Sequence, residues 1–222
     1  MEESVIIVGA GNGLSASLAR LCTSQGMKVI LAARDIVKLK QLKKEIGAYT
    51  IKCDSTNVKS VENLFKKSDK IIGAPNLVIY NPSKSVGGSI INLNPKKVHE
   101  AINVTCYGGF LIAQQATIRM LKKKRGSIFF TGATASIKGF PNSSVFAMGK
   151  FGLRGLAQSL ARELHPQNIH IGHFIIDGGI SRENYGSYKT IHPDSIAKTY
   201  LEFHHQDKSA WSWEVALRTS VE

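Results

Sequence analysis

Residues 8–15, VGAGNGLS, set Gly9, Gly11 and Gly13 between an apolar run and a helical pattern. Glycines let the backbone turn tightly and approach a ligand closely, and the free N–H groups and dipole of a following helix hold negative charge. The chemistry that fits is a cradle for the pyrophosphate of a dinucleotide, built from Gly9, Gly11, Asn12, Gly13 and Leu14. A second segment, SVFAMGKFGL at residues 144–153, places Phe146 four positions before Lys150. On a helix those two side chains share a face, which sets a phenyl ring beside an ammonium.

The elements that must position these residues are legible as an alternation. SVIIVGAG, KVILAAR, AYTIKCD, PNLVIYN, RGSIFFTGA and IHIGHFIID read as six strands, and WSWEVALR as a final one. Between them, residues 14–26 put Leu14, Leu18, Leu21 and Cys22 on one helical face and stop at Gly26. Further helices are predicted over residues 36–46, in NVKSVENLFKKS, over residues 95–123 and 142–165, and in HPDSIAKTYLEFHHQ. Continuous apolar strands separated by helices imply a parallel sheet covered on both faces. The expected fold is α/β, a single doubly wound, Rossmann-like domain over residues 1–222 with six or seven strands. Ligands bind such sheets outside the carboxyl ends of the strands, where the glycine turn falls.

Composition narrows the partners. The net charge of +13 would suit a polyanion, but the lysines fall in KLKQLKKE, KKSDK and KKKR, which read as solvated helix faces and ends. With no aromatic interleaving and no nucleic-acid motif, no nucleic-acid partner is expected. Cys22, Cys53 and Cys106 are odd in number and sit in apolar surroundings, as buried thiols of a reducing compartment would. No apolar run approaches the ~20 residues of a membrane span, and MEESVIIVGAG lacks the pattern of a secretory signal. A cytoplasmic protein is expected. His165, His170 and His173 lack metal-ligand spacing with a carboxylate cluster, so loop and strand-edge roles are expected for them, as for His204 and His205, and no metal site is expected. Trp211 and Trp213 read as pins holding the tail to the body or to a neighbouring subunit.

The glycine turn also resembles that of the short-chain dehydrogenase/reductase superfamily, with Gly9, Gly13 and Leu14 matching and Ser15 at the usual last glycine. The resemblance continues in order along nearly the whole chain. CDSTN is similar to the family's stretch in which Asp54 would contact the adenine and Ser55 line its pocket. YNPS keeps only Asn81 of an Asn-Asn-Ala-Gly motif, with Pro82 and Ser83 in place of its Ala-Gly. INVTCYGGF resembles the helix that contributes an active-site Asn, here Asn103. IIDGGI falls where Pro-Gly is common, with Asp177 for the proline, Gly178 kept, and Ile180 set to bind the nicotinamide amide through its backbone. In LAARD, Ala33 stands where a family member choosing NAD(H) would carry an acid, and Arg34 offers a fork for a 2′-phosphate. The resemblance therefore implies NADP(H) in preference to NAD(H). Asp35 could pair with Arg34 or cap the next helix.

In family chemistry a Tyr transfers the proton, a Lys one helical turn later lowers its pKa, a Ser polarises the substrate oxygen, and an Asn braces the water behind the Lys. Here Lys150 is kept, Phe146 stands at the Tyr position, and thirteen residues earlier Ala133 stands at the Ser position. Thr131, Thr134 and Ser136 are hydroxyls nearby, and Thr134 could turn inward. Three readings follow: an oxidoreductase acting on a carbonyl or alcohol with a substitute donor such as Tyr107, Tyr185 or Tyr188; one in which water or the substrate supplies the proton; or an NADP(H)-binding sensor or scaffold without turnover. The helices over 95–123 and 142–165 resemble the family's subunit contacts, which implies a homodimer or homotetramer.

Overall fold

In this computed structural model, residues 3–183 and 190–219 are described. Tyr185 and Tyr188 lie outside them. The apolar runs form one sheet of seven strands, β1 (Ser4–Val8), β2 (Lys28–Ala33), β3 (Tyr49–Lys52), β4 (Leu77–Tyr80), β5 (Gly126–Thr131), β6 (Ile169–Asp177) and, after a small parallel pair β7 (Gly179–Ile180) and β8 (Thr190–Ile191), β9 (Glu214–Arg218). They pair in parallel in the order β3-β2-β1-β4-β5-β6-β9.

The inner strands are almost wholly buried because helices cover both faces. Against one face, α1 (Leu14–Ser24), α2 (Lys40–Ile46) and α7 (Pro193–His204) pack Leu18, Leu42, Ile196 and Tyr200 onto Leu31 and Ile7. On the other, α3 (Val58–Ile72), α5 (Gly108–Lys123) and α6 (Ser144–Leu164) pack Phe65, Ile112 and Leu153 onto Ile6 and Phe130. The helix expected over 95–123 is α4 (Pro95–Ile102) joined to α5 by a π-helical turn, Asn103–Tyr107, in which Gly108 N donates to Asn103 O. The helix expected over 36–46 opens as a 3-10 turn, Val37–Leu39, whose first amide is held by Asp35 Oδ1 at 2.9 Å. Among the described residues, no helix is long and apolar enough to cross a membrane.

His165 lies in a 3-10 turn, His165–Gln167, as expected, but the histidines of β6 and the end of α7 depart from loop and strand-edge roles. His170 and His173 lie within β6, an inner strand because β9 pairs along its far side, and both are buried. His204 is the last residue of α7, and the fold brings it and His205 within 3.7 and 3.3 Å of Glu3, a carboxylate some two hundred positions away in sequence. Trp211 stacks on His170 (4.5 Å between ring centres, 3° between planes), and the Trp213 ring lies 5.6 Å from the Arg154 guanidinium, so the tail is pinned to its own domain.

Candidate functional site

The strand order reverses between β1 and β4, and parallel sheets open a crevice at such a point. A cavity of about 650 Å³ lies there, lined among others by Gly9, Ala10, Arg34, Lys38, Asp54 and Asn81. Gly9 has φ +78°, and a Cβ on it would sit 2.7 Å from Pro82 N, so the turn accepts only glycine. Asn81 Nδ2 donates to Ser15 Oγ (2.7 Å), and Ser15 Oγ donates to Gly9 O (3.2 Å). Ser15 thus clamps the glycine turn to the end of β4. Gly13 precedes α1 without any side-chain cap, which leaves the first amides of the helix free, while Leu14 is buried beneath them. A Cβ on Gly11 or Gly13 would meet nothing, so the surface around Asn12 is open to a ligand.

At the other end of the cavity two cations stand side by side. Arg34 and Lys38 are exposed and line it, and neither makes a hydrogen bond or ion pair with another described residue. Asp35 is engaged in capping, which leaves the Arg34 fork free. Lys38 belongs to a lysine-rich run, and the signal that sets it apart is its place four residues after Arg34. Burial opposes ionisation of Asp54, but hydrogen bonds from Thr56 N (3.0 Å) and Oγ1 (2.8 Å) outweigh it and hold the carboxyl below the usual carboxylate range. Ser55 lines the cavity with its hydroxyl 3.3 Å from that of the buried Tyr80, which donates to Val104 O.

Lys150 rises from α6 and is 2% exposed. Its Nζ donates to Thr131 O at 2.7 Å, at the carboxyl end of β5, and lies 5.7 Å from the centre of the Phe146 ring. Burial pushes its pKa down to about 8. Asn103 sits at the π-helical turn with Nδ2 2.8 Å from His99 Nε2.

Ala133 is extended and leads into a 3-10 turn, Thr134–Ser136. Thr134 does turn toward the neighbouring strand end: its Oγ1 donates to Asp177 Oδ1, and Asp177 Oδ2 is 3.6 Å from Arg218 Nε. In sequence Asp177 reads only as a replaced proline, and its partner is a product of the fold. Gly178 and Ile180 follow directly, Ile180 in the β7–β8 pair. Ser136 is turned inward. Its Oγ accepts from Ala133 N (3.1 Å) and lies 3.3 Å from His173 Nε2, while His173 Nδ1 is 2.9 Å from Glu214 Oε2. Arg154 donates twice to the same carboxylate, at 2.7 and 2.9 Å. Gly132 makes room for this chain, since a Cβ there would reach 2.5 Å from His173 Nε2. Burial presses the His173 pKa to about 4 against the pull of Glu214, so the ring is neutral near pH 7.

Tyr107 does not join the group. It is 42% exposed, its ring stacks on Phe110 (6.1 Å between centres), and its hydroxyl bonds no described residue. The helical register that puts Asn103 and Tyr107 one turn apart is interrupted by the wider π-helical turn.

The short chain dehydrogenase family model matches residues 3–181. The 3-oxoacyl-(acyl-carrier-protein) reductase MabA of Mycobacterium bovis is 27% identical over 169 residues, covering 76% of this chain and 66% of that protein. The chain spans 53–73% of the length of this and other curated relatives, which include a 3-ketodihydrosphingosine reductase of Bos taurus. A short-chain dehydrogenase crystal structure from Rhodopseudomonas palustris superposes with a TM-score of 0.87 at 32% identity, covering 97% of this chain and 98% of that one. A metagenomic short-chain oxidoreductase in complex with NADP shares the fold, with a TM-score of 0.87 at 24% identity over 99% and 98% of the two chains.

Proposed function

The chain belongs to the short-chain dehydrogenase family, and from that premise we propose that it is an NADP(H)-dependent oxidoreductase acting on a carbonyl or alcohol carbon of a small molecule, with a proton donor other than tyrosine. The observation that carries the reading is Lys150, a lysine kept at full burial beside the end of β5 despite the cost of burying an ammonium.

The residues present fit the dinucleotide. The uncapped start of α1 and the open surface at Gly11 and Gly13 suit a pyrophosphate, and the unpaired Arg34 and Lys38 suit a 2′-phosphate. Asp54 and Ser55 lie on the adenosine side, Lys150 would hold the ribose, and the backbone at Gly178 and Ile180 the carboxamide. When bound, the nicotinamide supplies or accepts the hydride.

In this reading Phe146 and Ala133 occupy the usual Tyr and Ser positions, and Phe146 has no proton to give. Thr134 is the hydroxyl we assign instead. In the oxidative direction the substrate hydroxyl proton passes to Thr134 Oγ1 as the threonine's own proton passes to Asp177 Oδ1, along the hydrogen bond already formed. Reduction reverses the transfer. Asn103 is assigned the family's role of bracing a water behind Lys150. The exposed Tyr107 and Phe110 near the start of α5, with Met148 and Phe151 of α6, give an apolar surface suited to a second copy, and a homodimer or homotetramer is the assembly we assign. Static light scattering at micromolar concentration would overturn that assembly by returning a monomer. Cytoplasmic residence accords with the reading and is tested by fractionation.

Calorimetric titration with NADPH and NADH, followed by a screen of aldehydes, ketones, quinones and alcohols for cofactor absorbance change, tests the function. Tighter binding of NADPH and turnover abolished in Lys150→Ala are expected. Tight NADPH binding with no turnover would return the sensor or scaffold reading, and NADPH no tighter than NADH would remove the role of Arg34.

A further inference from the structure

At the end of the sheet opposite the cavity, three residues from the two ends of the chain converge. Glu3 enters β1, while His204 closes α7 and His205 follows it. Their ligating atoms all lie within 4.8 Å of one another. His204 Nε2 is 3.7 Å from Glu3 Oε1, too far for a hydrogen bond. No described atom satisfies that nitrogen, although the His204 side chain is only 7% exposed. A buried imidazole nitrogen without a partner is unfavourable and calls for an explanation.

The other ring nitrogen supplies one. His204 Nδ1 lies 2.8 Å from Ser127 Oγ, at the start of β5. With the proton on Nδ1, donated to the serine hydroxyl, Nε2 turns its lone pair toward Glu3. A hydrogen bond that fixes the tautomer and orientation of an imidazole in this way is the usual companion of a metal-bound histidine. His205 Nε2 is 3.3 Å from Glu3 Oε2. The last carbonyls of α7 add the negative end of a helix dipole at the same place.

We propose that Glu3, His204 and His205 form a zinc site, separate from the cofactor cavity, with the remaining coordination position left to water. Two imidazoles and a carboxylate are a donor set for zinc rather than for magnesium or calcium. Zn–N and Zn–O bonds of roughly 2.0–2.2 Å in a tetrahedron place ligand atoms about 3.3–3.5 Å apart; here one ligand atom from each residue lies within 4.8 Å of the others, with His204 Nε2 3.7 Å from Glu3 Oε1 and His205 Nε2 3.3 Å from Glu3 Oε2. His205 and Glu3 are 52% and 40% exposed and free to shift by the roughly 1 Å that closes the set, while His204 is fixed by packing and by Ser127. The ion ties the end of α7 to the start of β1, and through Ser127 to β5.

The tag-free chain, dialysed against a chelator and then metal-free buffer, is titrated with zinc chloride by calorimetry and followed by thermal unfolding. One zinc per chain is expected, with the melting temperature raised by about 5–10 °C at a hundred-fold excess over the dissociation constant. Glu3→Gln and His205→Ala, both at exposed positions, each weaken binding at least about ten-fold, and His99→Ala leaves it unchanged. Cobalt in place of zinc gives the visible absorption of a low-coordinate ion. Absence of saturable binding, equal stabilisation by magnesium, or undiminished affinity in both Glu3→Gln and His205→Ala overturns the site.

Discussion

The Nζ of Lys150 and the ring of Phe146 face one another 5.7 Å apart on a single side of α6, one helical turn from each other. An aromatic face attracts an ammonium, but it cannot exchange a proton with it. Phe146→Tyr converts the contact into a phenol beside a cation, which lowers the phenol pKa below its ordinary ~10. Turnover of any substrate found in the screen should rise about 10²-fold or more, the scale of a positioned general acid. Cofactor affinity should stay the same, and rates with calorimetry on the same preparation check both.

Thr134→Val removes the hydroxyl that donates to Asp177 while keeping the shape of the side chain. Turnover should fall about 10²-fold, the low end of general acid–base catalysis. NADPH affinity should be unchanged, since the threonine holds no part of the cofactor. A fall in affinity equal to the fall in rate would assign Thr134 to binding instead.

Arg34→Ala and Lys38→Ala each remove one of the two unpaired cations at the cavity edge. Because both are exposed, solvent screens them and the loss is modest, about ten-fold in NADPH affinity for each, or ~1.4 kcal/mol. NADH affinity should be nearly unaffected. Parallel calorimetric titrations read the difference.

Lys150→Met should stabilise the free protein near pH 7. The fall of the lysine pKa from 10.5 to about 8 by burial is a cost of about 3 kcal/mol to the folded state, present in full below pH 8. Between about pH 8 and 10.5 the unfolded chain binds more protons than the folded one, so stability rises with pH there. Urea unfolding should show that rise in the wild type and a smaller one in the methionine variant. The lost bond to Thr131 O offsets part of the gain.

Acid should unfold the protein through β6. Burial holds His170 and His173 near pKa 4, so between about pH 6.5 and 4 the unfolded chain takes up protons that the folded chain refuses. Stability is therefore lost as pH falls through that window, by up to about 3 kcal/mol for each histidine. His170→Phe keeps the stack between Phe203 and Trp211 and should lose less stability between pH 7 and 4.5.

Much of the sheet could be read directly. Runs such as SVIIV and GSIFFT carry no alternation because both faces are covered, and the strands fall where those runs lie. The glycine turn could be read for a similar reason: it is local, and Gly9 is forced by a backbone angle and by Pro82. The π-helical turn at Asn103–Tyr107 could not, because a single widened turn leaves the apolar spacing of residues 95–123 almost unchanged. His170 and His173 looked like edge residues because nothing near them in sequence shows that the last strand, β9, pairs beyond β6.

The sequence alone determined the class of fold, the glycine turn after β1, the cation at Arg34 and the Phe146–Lys150 pairing, since each element or pair depends on residues within about one helical turn or one strand of each other. Tertiary structure alone decided that Thr134 meets Asp177, that Ser136, His173, Glu214 and Arg154 form one hydrogen-bonded chain, and that Glu3 meets His204 and His205. Those contacts join strand ends and chain ends separated by tens to hundreds of residues. Their distances are set by how seven strands stack side by side and how helices pack across them, a property of the whole domain that no short stretch of its sequence contains.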